Sequence, residues 1–247
     1  MIKIKRLVLL LFCLFMNELF VGQTVLLHES IRNYDFKMPK QGPNFRHFNH
    51  LILGYAFFVP MHQINEIQIK AGTSTILTVG WRYKFKITNW LAIGAGVNFT
   101  NEKFNIKQND EKVIPDTILH SKEKMRFNNI GPDFYIRFNL GKRGNIIGRF
   151  VDLGAYCNWP FSVEHMYEDN KDRNSSTKRA GIERVILSKL NYIERFQYGL
   201  KSRIGINRFV LTGTYRLNEL LTEEYKKGSG DYFFSKFALG LEIGLHK

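Results

Sequence analysis

The chain has seven histidines, the side chains best suited by type to acid–base or metal chemistry near neutral pH. His62, His120 and His165 fall in or near long polar connections, where a loop-sited hydrolase would keep its site. Such a site needs partners at defined spacing. The sequence has no His-Glu-x-x-His, no cysteine cluster and no Gly-x-Ser-x-Gly. Ser121 follows His120 directly, and adjacent residues of an extended chain face opposite ways, so the two are not a dyad. Scattered histidines are the plainer reading. No catalytic residue, cofactor or metal ligand is assigned, and the hydrolase stays as an alternative. The charges are better organised. Arg82, Asp133, Arg137, Asp152, Arg203, Arg216 and Glu242, together with Lys201, share one parity of strand-like segments, opposite the apolar one. Charges on a buried face persist only when paired and hydrogen-bonded. A structural network is therefore expected, with Glu242 reaching Arg216 and then Arg203 or Arg137. The functional alternative for the same set is an anion-selective path.

The elements that must carry these charges are strands. From 66 to 87 the odd positions run from Ile67 and Ile69 to Leu77, Val79, Trp81, Tyr83 and Phe85, and the even ones are mostly polar or glycine. A period of two places one set on each face. The pattern returns over 48–59, 72–87, 90–105, 124–140, 146–165, 191–206, 209–220 and 233–245, which makes eight strands. Met125 and Phe127 have the opposite parity to Ile130 and Phe134, so a bulge is expected near Asn128-Asn129. The connections at 88–89, 141–145 and 207–208 are short, whereas those at 60–71, 106–123, 166–190 and 221–232 are longer and polar. An even strand count with alternating short and long connections predicts an all-β, eight-stranded antiparallel up-and-down transmembrane β-barrel.

Alternation alone does not say which face is outside, because a soluble lipocalin-like carrier of an apolar ligand alternates too. The apolar parity carries Tyr55, Trp81, Phe134, Trp159, Phe196 and other rings that would overfill a narrow eight-stranded interior. The opposite parity mixes glycines with the charges named above, a set that fills a narrow polar lumen. Strands longer than the roughly 9–11 residues that cross a bilayer favour apolar-out as well.

A short apolar run, 7–16, follows Lys3, Lys5 and Arg6, which is the pattern of an export signal. The expected organisation is a signal peptide at 1–23, a periplasmic extension at 24–46 and the barrel at 47–247. Cys13 would leave with the signal, so Cys157 would stand alone and no internal disulfide could form. The formal charge of +14 would fall by two with loss of Lys3, Lys5, Arg6 and Glu18. Its cations are interleaved with apolar residues along strands, which argues against nucleic acid and for anionic lipid headgroups as the counter-charge.

The runs at 48–55 (FNHLILGY), 80–85 (GWRYKF), 126–131 (RFNNIG), 141–144 (GKRG), 152–154 (DLG) and 240–244 (GLEIG) resemble the porin-like outer-membrane β-barrel proteins of Bacteroidota. One departure is His246-Lys247, where the wider outer-membrane pattern has a terminal aromatic. The resemblance implies architecture and an outer-membrane location but supplies no catalytic motif. The expected function is structural or interactive, through outer loops that meet a protein or glycan. The alternative within the same class is a small transport or secretion-accessory barrel.

Overall fold

The computed structural model describes residues 42–246 apart from 62–64, 111, 113, 116, 142–145, 171–181, 189 and 230–231. The expected signal, the extension as far as residue 41, His62 and most of the 141–145 turn lie outside the described residues. Nine strands follow in order: β1 (His47–Phe58), β2 (Thr75–Lys86), β3 (Leu91–Asn105), β4 (Lys122–Leu140), β5 (Arg149–Asn170), β6 (Ile182–Ser188), β7 (Gln197–Ile206), β8 (Phe209–Arg216) and β9 (Phe237–Leu245). A short helix, α1 (Glu223–Ser229), lies between β8 and β9. All strands but β6 form a closed barrel in the order β4-β3-β2-β1-β9-β8-β7-β5, sealed by β4 against β5. Every pairing between named strands is antiparallel. The tight turn between β7 and β8 works because Asn207 takes a left-handed φ of 54°, and its Oδ1 accepts from the Gly148 amide at 3.1 Å.

Four expectations need correction. The connection at 166–190 is not all loop: β5 continues to Asn170, and β6 pairs along it from Glu164↔Ser188 to Asn170↔Ile182. The β-branched run in β6 is flanked by charges that hide it in the sequence, and an Arg184–Glu168 ion pair at 2.6 Å joins it to β5. The sixth barrel strand accordingly begins at Gln197, not 191. The second strand begins at Thr75, not 72, and the connection at 60–71 is a connection as expected. A turn at 71–73 separates it from β2, and Ile67 and Ile69 fold inward over the barrel mouth. Finally, the register does shift at Asn128/Asn129, but the extra residue is Phe161 on β5. The parity of β4 never breaks, so Met125 and Phe127 point into the barrel.

That last point changes the interior. The two faces differ sharply in polarity: outward Phe209, Phe134 and Leu241 are 70%, 64% and 62% exposed, while inward Arg82, Arg137 and Arg203 are each 1% exposed. The lumen is nevertheless not polar throughout. At the end with short turns, Phe48, Ile147, Phe150 and Val210 form one apolar cluster. At the end with long connections, Phe58, Phe104, Met125 and Phe127 from the strands meet Ile67, Ile69, Ile114 and Phe234 from the loops. Phe104 is the centre of this plug, with its ring 4.2 Å from Phe58, 4.9 Å from Phe234 and 5.7 Å from Phe127. The charges lie between these two seals. Because the plug is fully buried, Phe127→Ala should cost roughly 3–5 kcal/mol. Urea unfolding of the purified protein checks this, and a loss below about 1 kcal/mol would mean that the plug is not close-packed.

Candidate functional site: a charge network within the barrel

Strict alternation on five strands aims Arg82 (β2), Asp133, Tyr135 and Arg137 (β4), Asp152 (β5), Lys201 and Arg203 (β7) and Glu242 (β9) at one volume. Asp152 is the junction. Its Oδ1 accepts from Arg137 Nε at 2.7 Å and its Oδ2 from Arg137 Nη2 at 2.8 Å, a bidentate pair. Oδ2 also receives Arg203 Nη1 at 3.4 Å. Register explains the trio, since Arg137 and Arg203 are the two cross-strand neighbours of Asp152. The other end of the Arg203 fork donates to Asp133 Oδ2. Glu242 holds the opposite wall, with Arg82 Nη2 at 2.8 Å and Lys201 Nζ at 2.7 Å.

Tyr135 fills the centre. The guanidinium carbons of Arg203, Arg137 and Arg82 lie 4.8, 5.4 and 5.8 Å from its ring centroid, within the range of cation–π attraction. Its hydroxyl donates to the Tyr83 carbonyl at 3.1 Å. Glycine makes the fit possible: a Cβ on Gly94 would enter the Tyr135 ring, and one on Gly96 would enter the Asp133 carboxylate. Four cations (Arg82, Arg137, Lys201, Arg203) thus meet three carboxylates (Asp133, Asp152, Glu242), with all seven side chains buried.

Six of the seven residues expected in the network are therefore together, and Arg216 is not. The Arg216 amide donates to the Lys236 carbonyl, which places it six residues along β9 from Glu242, about 20 Å at the strand rise. The expected Glu242–Arg216 pair is replaced by Arg82–Glu242–Lys201. Arg216 belongs to a second tier nearer the plug, where Nη1 lies 4.0 Å from Glu102 and Nη2 donates to the Phe234 and Ser235 carbonyls at 3.3 and 3.0 Å. Asn129 ties that tier across the lumen by donating to Glu102 at 3.0 Å and Gln197 at 3.4 Å. Glu102 and Tyr135 were missed in the sequence, although their parity, shared with Gly94 and Gly96 on β3 and with Asp133 on β4, would have found them.

The loop histidines meet carboxylates but not each other's. His165 Nε2 is hydrogen-bonded to Glu123 at 2.7 Å, and Glu123 also holds Lys112 at 2.5 Å and Gln108 at 2.8 Å. Burial pushes the Glu123 carboxyl up, but hydrogen bonds from His165, Lys112 and Gln108 outweigh it and leave it below the usual range. His120 Nδ1 is bonded to Asp169 at 2.8 Å and stacks on Tyr167 with ring centroids 4.3 Å apart. Among the described residues no group of three or more His, Cys, Asp or Glu is arranged to hold a metal. No protein-family model and no curated protein matches the chain.

Chemically, the central network is a tie between strands that are not all neighbours in the barrel. Asp152→Asn would leave Arg137 and Arg203 without their shared anion and should cost roughly 3–5 kcal/mol. A double-mutant cycle with Arg137→Gln, read by urea unfolding, should give a coupling of about 0.5–3 kcal/mol. Strict additivity would show that the two do not act together.

Proposed function

We propose that this barrel lies in the bacterial outer membrane with its apolar face to lipid, and that it serves a structural or interaction role through its loop end. The observation that carries this reading is the inversion of polarity. Aromatic and aliphatic side chains such as Leu53, Trp81, Phe134, Leu153 and Leu241 are exposed on a closed barrel whose interior holds buried Arg, Asp and Glu. Contiguous apolar surface on that scale marks a membrane or partner interface.

The dimensions agree. On β4 the outward side chains are apolar from Ile130 to Leu140, ten residues apart. At about 3.4 Å per residue that is roughly 34 Å of strand. With the strand tilt of about 40° usual for such barrels it spans roughly 26 Å, close to the roughly 25 Å apolar band of outer-membrane barrels. The short apolar run at 7–16 behind three basic residues supports export, and the resemblance to porin-like barrels of Bacteroidota points to the same membrane. A soluble carrier of an apolar ligand would need an apolar cavity where this interior holds its ion pairs. The transport alternative needs a path through those pairs and through the Phe104 plug. Silent planar-bilayer recordings are expected of the intact barrel, and steady conductance would favour transport.

Leu153→Arg or Leu241→Arg should each destabilise the lipid-inserted barrel by roughly 2–4 kcal/mol if near the midplane. The readout is the temperature at which the compact, fast-migrating form on a gel converts to the unfolded one. Wild-type protein that stays dissolved and monomeric without detergent would contradict the membrane reading.

A further inference from the structure

The outer face above the apolar belt is not uniform around the barrel. On β1 and β8 it stays apolar to the loop end, finishing at Val59 and Leu217. Lys236, just before β9 on that side, is held by Glu219 at 3.0 Å. On β3, β4 and β5 the strands run on past the belt, and their outward residues change type in three steps that register aligns. The last apolar row is Phe99, Ile130 and Trp159. Next comes a neutral polar row, Asn101, Asn128 and Ser162, in which Asn101 donates to Asn128 at 2.5 Å. Above it Lys103 lies beside Arg126, and one row further Asn105 lies beside Lys124. Lys122 and Arg184 complete the patch. From Phe99 to Lys103 is four residues, about 13 Å of strand.

These cations outnumber their partners. Five of them (Lys103, Lys122, Lys124, Arg126, Arg184) face two carboxylates, and Glu168 is shared by Arg184 at 2.6 Å and Lys122 at 3.7 Å. Arg126 reaches Glu164 at 3.5 Å. Neither Lys103 nor Lys124 has an ion-pair partner among the described residues. Burial first, and then the charges of Arg126 and Lys103, draw the Lys124 amine below its ordinary range. Beside it a cleft of about 280 Å³ is lined by the cations Lys70, Lys122 and Lys124, by Thr73, Asn105 and Met166, and by the carboxylates Glu123 and Glu168, which the three lysines outnumber.

We propose that this wall of β3, β4 and β5 binds the net anionic, phosphate-bearing headgroup of a lipid in the loop-side leaflet, with Lys103 and Lys124 as its anion ligands. The sequence of rows (apolar, neutral hydrogen-bonding, cationic) is the sequence of parts along such a lipid: acyl chain, ester or sugar, phosphate. A free anion would need only the last row. The proposal rests on the membrane reading above and adds to it a place and a chemistry.

The test uses the whole barrel in nanodiscs containing phosphatidylglycerol and phosphatidylcholine in equal amounts, with the lipid retained on release measured by native mass spectrometry. Wild-type protein should retain phosphatidylglycerol preferentially. Lys103→Gln with Lys124→Gln, which orphans no carboxylate, should reduce that preference roughly tenfold to thirtyfold. Arg149→Gln with Arg208→Gln, the same charge change at the turn end, should leave it intact. Equal preference in wild type and the lysine variant would overturn the proposal. So would inorganic phosphate that protects the detergent-held barrel against heat as well as phosphatidylglycerol does, since that assigns the cluster to a free anion. A barrel that inserts but shows no preference loses the headgroup site and keeps the membrane reading. A barrel that does not enter the discs at all loses both.

Discussion

An eight-stranded barrel encloses only enough room for side chains, so any charge turned inward must find its counter-charge inside. The rest of this structure depends on that constraint. It explains why Asp152 takes the full fork of Arg137 and part of Arg203, and why Glu242 accepts from two cations on different strands. It also explains the glycines on the inner face of β3. The space that a Cβ would take is already occupied by the Tyr135 ring and the Asp133 carboxylate.

A buried ion pair is weak evidence for stability by itself, because desolvation offsets much of the attraction. Its effect here is better seen as specification. The network joins β2, β4, β5, β7 and β9, and a slip of one residue in any of them would turn its charged side chain to the apolar face. The apolar clusters at the two ends contribute in a different way. They exclude water from both sides of the charged layer, so the pairs interact in a medium of low polarity where each unmade contact is costly. Charge in the middle and apolar seals at the ends are thus one arrangement.

The strands and their inward faces were legible in the sequence because a period of two is a local signal. The inward set Arg82, Asp133, Arg137, Asp152, Arg203 and Glu242 follows from it, while the up-and-down order and the short turn at Asn207 follow from the alternation of short and long connections. What was not legible depends on register and on loops. Arg216 has the right parity but the wrong height, and height is set by cross-strand pairing that one sequence does not display. Met125 and Phe127 looked like a break in β4, yet the extra residue is Phe161 on the neighbouring strand. The plug was invisible because half of it, including Ile67, Ile114 and Phe234, comes from connections between strands. β6 was missed because its apolar residues are framed by charge and, among the described residues, it pairs with the upper part of β5 alone.

The central claim is that the apolar face of the barrel meets lipid. The chain carries its own reporters: Trp81, Trp90 and Trp159 are its three tryptophans, and all of them are exposed on the outer surface. The direct measurement is quenching of their fluorescence in vesicles whose acyl chains carry bromine. The account predicts strong quenching by brominated lipid and little by aqueous iodide. Trp81, flanked by Leu51 and Val97 within the belt, should respond to deeper bromines than Trp90 beside the β2–β3 turn. Emission that brominated lipid leaves unchanged while iodide quenches it would contradict the account.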